Sequence, residues 1–141
     1  MNLLIHLIAI LPIVYYLYPS IGLINSIFLF MGGWISDIDH YLYCIFKHRN
    51  FSFKKCYEFH MPFAKEKDVL HIFHIAEFYI LTLIIGLFIE PFLYLFYGLL
   101  YHLIFDLIKL AYLKYYAKDP RADQGRAYSL IMWLRRHYTS K

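Results

Sequence analysis

The chain has 141 residues, 61% of them apolar and 21% aromatic, with a formal net charge of +4. Soluble domains keep roughly half their residues apolar, so this composition excludes an ordinary soluble enzyme or nucleic-acid binder and, at this length, allows one domain (1–141). All 14 Lys and Arg residues fall in two windows, 47–67 and 109–141, a placement that suits a membrane surface, where each basic side chain favours anionic headgroups by about 1 kcal/mol.

A helix needs roughly 17–25 apolar residues to cross the hydrocarbon core, and backbone at that depth must bond internally. Four stretches meet or approach that length: 3–18, 21–36, 69–89 and 92–113. The first lacks a basic leader and a small-residue cleavage site, so it reads as a span rather than a signal peptide. Pro19-Ser20 reads as a tight turn between the first two spans, and Glu90-Pro91 as the turn between the last two. Segment 47–68 alternates basic and aromatic residues, which predicts an amphipathic loop or helix lying at headgroup level. A sharper reading makes it a phosphate-recognising lid led by His48 and Arg49. Near the C-terminus, Ala127, Leu130, Ile131, Leu134 and Tyr138 recur on one helical face beside Arg135 and Arg136, which predicts an amphipathic helix.

The expected architecture is therefore all-α: an integral membrane bundle of four transmembrane helices with an amphipathic loop and C-terminal helix. Neither proline turn carries a basic residue, whereas the middle loop carries six and the C-terminal window eight. The positive-inside rule then makes the loop, the segment 114–141 and both chain termini cytoplasmic. Cys44 and Cys56 fall on that side, where disulfides are rare, and read as free thiols.

Chemistry-bearing residues cluster by depth. Asp37, Asp39, Glu77 and Asp106 lie within or at the edge of apolar helices, where an unpaired charge costs ~2.5–3.5 kcal/mol even on lenient insertion scales. At 1.5 Å per residue, His71, His74 and Glu77 lie roughly 3, 8 and 12 Å in from the basic side, Asp106 about 10 Å and His102 about 16 Å. His102 and Asp106 are spaced i,i+4 and His74 and Glu77 i,i+3, so each pair is expected to share a helical face. Carboxylates and imidazoles projecting from facing helices are how bundles build metal sites. The donor set suits zinc or manganese, with iron as a third option, and one or two ions. Asp37, Asp39, His40, His74, His102 and Asp106 are the expected ligands, with Glu77 as general base or additional ligand. His71, His48, Arg49, Lys54 and Lys55 are the expected substrate contacts, holding an anionic lipid headgroup. The plainer readings place His6 and His60 outside the ligand set, leave His137 on the surface and pair Asp106 with Lys109.

Asp37-Ile38-Asp39-His40, His48-Arg49 and His102-Leu103-Ile104-Phe105-Asp106 together resemble the YdjM-like family of small inner-membrane metal-dependent hydrolases of bacteria and archaea. The likeness covers about residues 30–110. Where that family carries a Thr-His-Ser element, this chain has His71-Ile72-Phe73-His74-Ile75-Ala76-Glu77. The resemblance implies a multi-pass protein of the inner membrane and metal-assisted hydrolysis. Combined with the basic lid, it leads to a hydrolase of a lipid or lipid-phosphate ester. Two other classes fit the same residues: a non-catalytic subunit of a larger membrane assembly whose polar cluster packs helices, and a metal or proton carrier.

Overall fold

A computed structural model describes residues 3–60, 69–119 and 126–139. Among the described residues the chain is all-α apart from one short bridge. Its helices are α1 (Leu3–Ile35), α2 (Ile38–His48), α3 (Phe53–His60), α4 (Ala76–Gly86), α5 (Glu90–Ala111) and α6 (Leu130–Thr139). α1 is two arms rather than one rod, because Gly22 sits at φ 76°, ψ 175° in its middle. A Cβ placed on Gly33 would lie 2.8 Å from Ile10 Cγ1. A straight helix would hold those two residues about 35 Å apart, so the second arm (23–35) runs back along the first (3–21).

The expected turn thus exists but lies later than Pro19-Ser20, which stay helical. Proline holds φ near the helical value, whereas the positive φ needed to reverse the chain is cheap only for glycine. At the same end of the molecule, Asn25 Nδ2 donates to Glu90 Oε1 at 2.9 Å, tying the second arm to the start of α5.

The second arm and α5 cross with their backbones in contact. A Cβ on Gly32 would come 2.2 Å from the Leu95 carbonyl oxygen, and one on Gly98 would come 2.3 Å from that of Leu29. Small residues at such a crossing are the usual means of packing helices where apolar side chains alone give no preference.

Residues 69–89 are not one helix. Val69–Leu70 pair in parallel with Arg126–Ala127, Ile72–His74 form a 3-10 turn, and Ile75 is extended. Only the 11 residues of α4 remain helical. The C-terminal segment is strapped to this region: the Ala76 N–H donates to the Tyr128 carbonyl at 2.8 Å. α6 follows where the amphipathic helix was expected.

Burial is inverted relative to a soluble protein. Among the described residues, ten polar or ionisable side chains are buried against eight apolar ones, while Tyr15, Tyr16, Leu87 and Phe88 are at least 70% exposed. Ile24, Ile80, Ile84, Ile104 and Ile108 also face outward. Exposed apolar surface on this scale requires a partner, and lipid is the simplest. Two stretches, Ile5–Ile35 and Glu90–Tyr116, are long and apolar enough to cross a membrane. Cys44 of α2 and Cys56 of α3, expected to be free thiols, are joined in a disulfide. The sequence reading failed because it judged the cysteines by compartment alone. The helix–turn–helix at 49–52 brings their Cα atoms to 5.6 Å, within the range a bridge requires.

Gly98→Ala places a methyl group against the Leu29 carbonyl. Overpacking of this kind costs ~1–3 kcal/mol, so the variant should unfold at a lower temperature than wild type in detergent, as measured by circular dichroism.

Candidate metal centre

Where α1 ends, the chain makes a turn instead of continuing. The Asp37 N–H donates to the Trp34 carbonyl and the Asp39 N–H to that of Ser36, at 3.0 and 3.2 Å, before α2 begins. The Ser36-Asp37 run thus ends one helix and opens the next. Asp37 occupies the N-cap position without bonding through its side chain to the helix, and its Oδ1 instead lies 3.9 Å from His102 Nε2.

α5 supplies His102 and Asp106 on one face, with His102 Nε2 3.8 Å from Asp106 Oδ2. His102 is fully buried, and its Nδ1 lies 3.1 Å from the Gly33 carbonyl oxygen. A carbonyl only accepts, so this nitrogen carries a proton, and in the tautomer that fits a metal ligand Nε2 presents the lone pair. That Nε2 makes no hydrogen bond.

His74 comes from the 3-10 turn. Its Nδ1 lies 3.4 Å from Asp39 Oδ2 and its Nε2 3.8 Å from Asp106 Oδ2. Asp39 also accepts the Phe73 backbone N–H. Burial raises the Asp39 carboxyl to about 6, with the Phe73 N–H and then the His71 ring opposing the rise. His74 and His102 thus share one pattern: a backbone carbonyl or carboxylate behind Nδ1, and Nε2 turned towards Asp106. Second-shell partners set histidine ligands in this way.

His40 and His71 flank the cluster. Their ring centroids are 4.4 Å apart, and they lie 5.6 and 5.8 Å from the His74 ring. His71, expected to touch substrate, is buried beside the expected ligands.

One member was absent from the expected ligand set. His6 stacks on His102 at 4.3 Å and places Nε2 3.5 Å from Asp106 Oδ1. His6, His102 and Asp106 form a buried group whose donor atoms all lie within 4.8 Å of one another, suited to a metal ion. The first arm packs along the second at Ile10, one helical turn beyond His6. A hairpin aligned on that contact would have brought His6 to this depth.

Glu77 is a correction. It was expected to share a face with His74 as general base, but the extended Ile75 breaks the helix between them. Its carboxylate accepts from Ser129 Oγ at 2.6 Å and from the Leu130 and Ile131 N–H groups at 3.0 and 3.3 Å. It therefore holds the N-terminus of α6, where a negative charge is favourable. Arg49 is exposed at the end of α2 in the left-handed region, and Lys54 and Lys55 are exposed on α3. The side chains of His48 and His60 lie outside the described residues.

The spacing is informative. Charge-assisted N–H···O bonds run about 2.7–2.9 Å, whereas the His–Asp separations here are 3.4–3.9 Å. Ligand bonds of about 2.0–2.2 Å to zinc set neighbouring donors about 3.3–3.6 Å apart around a tetrahedron. Apart from the His74 Nδ1–Asp39 pair, the ring nitrogens and the Asp37 and Asp106 oxygens stand 3.5–3.9 Å apart, long for hydrogen bonds with each other and close to the spacing a divalent cation imposes. No protein-family model, curated protein or solved structure matches the chain.

Elemental analysis of protein purified without chelator should find a divalent metal in wild type. Asp106→Leu should abolish it, whereas Glu77→Gln should retain metal while lowering thermal stability. Loss of metal in Glu77→Gln would return that residue to the site.

Proposed function

We propose that this chain is a membrane-embedded, metal-dependent hydrolase acting on a lipid or lipid-phosphate ester. The observation that carries the reading is the lone pair of His102 Nε2, fully buried and aimed at carboxylate oxygens of Asp37 and Asp106 at 3.9 and 3.8 Å. Acceptors facing acceptors in a low-dielectric interior repel unless a cation lies between them. The resemblance of Asp37-Ile38-Asp39-His40 and His102…Asp106 to the YdjM-like hydrolases supports the same reading.

A bound divalent cation supplies Lewis acidity and makes water acidic enough to attack near neutral pH. The chain's own residues do the rest. Asp37, His74, His102 and Asp106 would hold the ion, and Gly33 and Asp39 fix the two rings. With Glu77 committed to α6, the proton-accepting role passes to the His40–His71 pair, since neutral imidazole is a base matched to pH 7. A purely structural pairing would close to about 2.7–3.0 Å, whereas Asp106 and Asp37 stand 3.5–3.9 Å from the His6, His74 and His102 nitrogens that face them.

In the four-span placement, the two arms of α1 cross with α4 and α5, and the metal centre sits at the basic end. The positive-inside rule puts that end on the cytoplasmic leaflet of the inner membrane, and Lys54, Lys55 and Arg49 are exposed there to meet anionic headgroups. Opened by a membrane-permeant reductant, the Cys44–Cys56 disulfide reports that placement: a permeant maleimide should label the two thiols in whole cells and an impermeant one should not. Labelling by the impermeant reagent would reverse the topology.

Activity is tested with purified protein in vesicles of mixed phospholipids supplied with zinc or manganese. Wild type should release phosphate or fatty acid, and His102→Ala should reduce that release to background. Metal retained with nothing released from any lipid would remove the hydrolase.

A further inference from the structure

Asp106 stands between two groups of donors, not at the edge of one. Its Oδ1 lies 3.5 Å from His6 Nε2, and its Oδ2 lies 3.8 Å from His74 Nε2. The two carboxylate oxygens thus face imidazoles from different parts of the fold: the first arm of α1 and the 3-10 turn before α4. Resting on the metal-centre reading above, we propose that the site holds two divalent cations bridged by Asp106. One would be held on the Oδ1 side with His6, the other on the Oδ2 side with His74, His102 and Asp37.

Two observations support the pair. First, the buried donors outnumber what one zinc ion takes. That ion is satisfied by four ligands, while His6, His74, His102, Asp37 and Asp106 offer five side chains, and Asp39 stands directly behind His74. Second, the geometry matches. A carboxylate that offers one oxygen to each ion suits centres whose metals stand about 3.5–4 Å apart, the separation used to clamp attacking and leaving oxygens. His102 stacks on His6 at 4.3 Å while its Nε2 faces Asp37 at 3.9 Å and Asp106 Oδ2 at 3.8 Å, so its ring adjoins His6 and its donor atom lies on the Oδ2 side.

The rival arrangement is a single ion on the Oδ2 side, with His6 merely orienting Asp106 from behind. Counting metal separates the two. Full-length wild-type protein in detergent, loaded with manganese and dialysed free of excess, should retain two ions per chain by elemental analysis. Its electron paramagnetic resonance spectrum should show an exchange-coupled pair. His6→Gln should fall from two ions to one and give the spectrum of an isolated ion. Wild type that saturates at one ion, with an uncoupled spectrum, overturns the pair and leaves the metal-centre reading standing. Retention of two coupled ions by His6→Gln overturns the assignment of His6. Wild type that retains no manganese and no zinc overturns both readings together. The wild-type count and spectrum decide the matter even if the variant does not fold.

Discussion

The backbone contact between Gly32 and Gly98 is the constraint on which the rest of the molecule depends. With side chains at either position, the second arm of α1 and α5 would stand farther apart, because each Cβ would meet a carbonyl oxygen at 2.2–2.3 Å. The next residue, Gly33, places its carbonyl 3.1 Å from Nδ1 of His102, one turn along α5 from Gly98. That bond sets which ring nitrogen keeps its proton and where the other points. Gly33 also admits Ile10 against the arm, which brings the first arm, and with it His6, to the level of Asp106. Three glycines on one crossing thus orient one ligand and deliver another, so helix packing and site geometry cannot be altered independently.

The interior this crossing creates is polar, which no membrane or soluble fold tolerates without compensation. Ionised carboxylates in a low-dielectric environment must be paired, protonated or bound to metal. Some compensation is visible in the protein itself: Asp39 takes a backbone N–H and stands behind His74. Asp37 and Asp106 stand 3.5–3.9 Å from the His6, His74 and His102 nitrogens that face them, longer than hydrogen bonds and near the spacing that ligands of one cation take. Glu77 provides the contrast within the same chain. Its carboxylate, serving structure alone, closes on three donors at 2.6–3.3 Å.

Much of this was legible in the residues because helical spacing is local. His102 and Asp106 meet as their i,i+4 separation requires, and the polar residues do gather at one end of the apolar helices. The Ser36–His40 run reads as a helix end from composition alone. What could not be read were features decided by distant partners. The 3-10 turn at Ile72–His74 exists because Val69–Leu70 pair with Arg126–Ala127 and Phe73 donates to Asp39; nothing between 69 and 89 announces either partner. Glu77 was drawn to the metal by its spacing from His74, although Ser129, 52 residues on, holds it. His6 lacked any local companion, and only the register of the hairpin about Gly22 makes it a neighbour of Asp106. The disulfide likewise depends on how α2 and α3 fold back.

The broken elements and the site have one cause. At 1.5 Å per residue the second arm of α1 extends about 20 Å and α4 about 17 Å, each short of the roughly 30 Å of a hydrocarbon core. In the proposed membrane placement, both therefore end at depth, at the turns that carry Asp37 and His74. Irregular backbone at that depth persists only where protein surrounds it and satisfies its polar groups. Here the two turns face each other, and the Asp39 carboxylate of one accepts the Phe73 N–H of the other. The residues that make these helix ends tolerable are thus the same ones that supply or orient the ligands. Extending either helix to a full span would remove the need for the cluster along with the turns that build it.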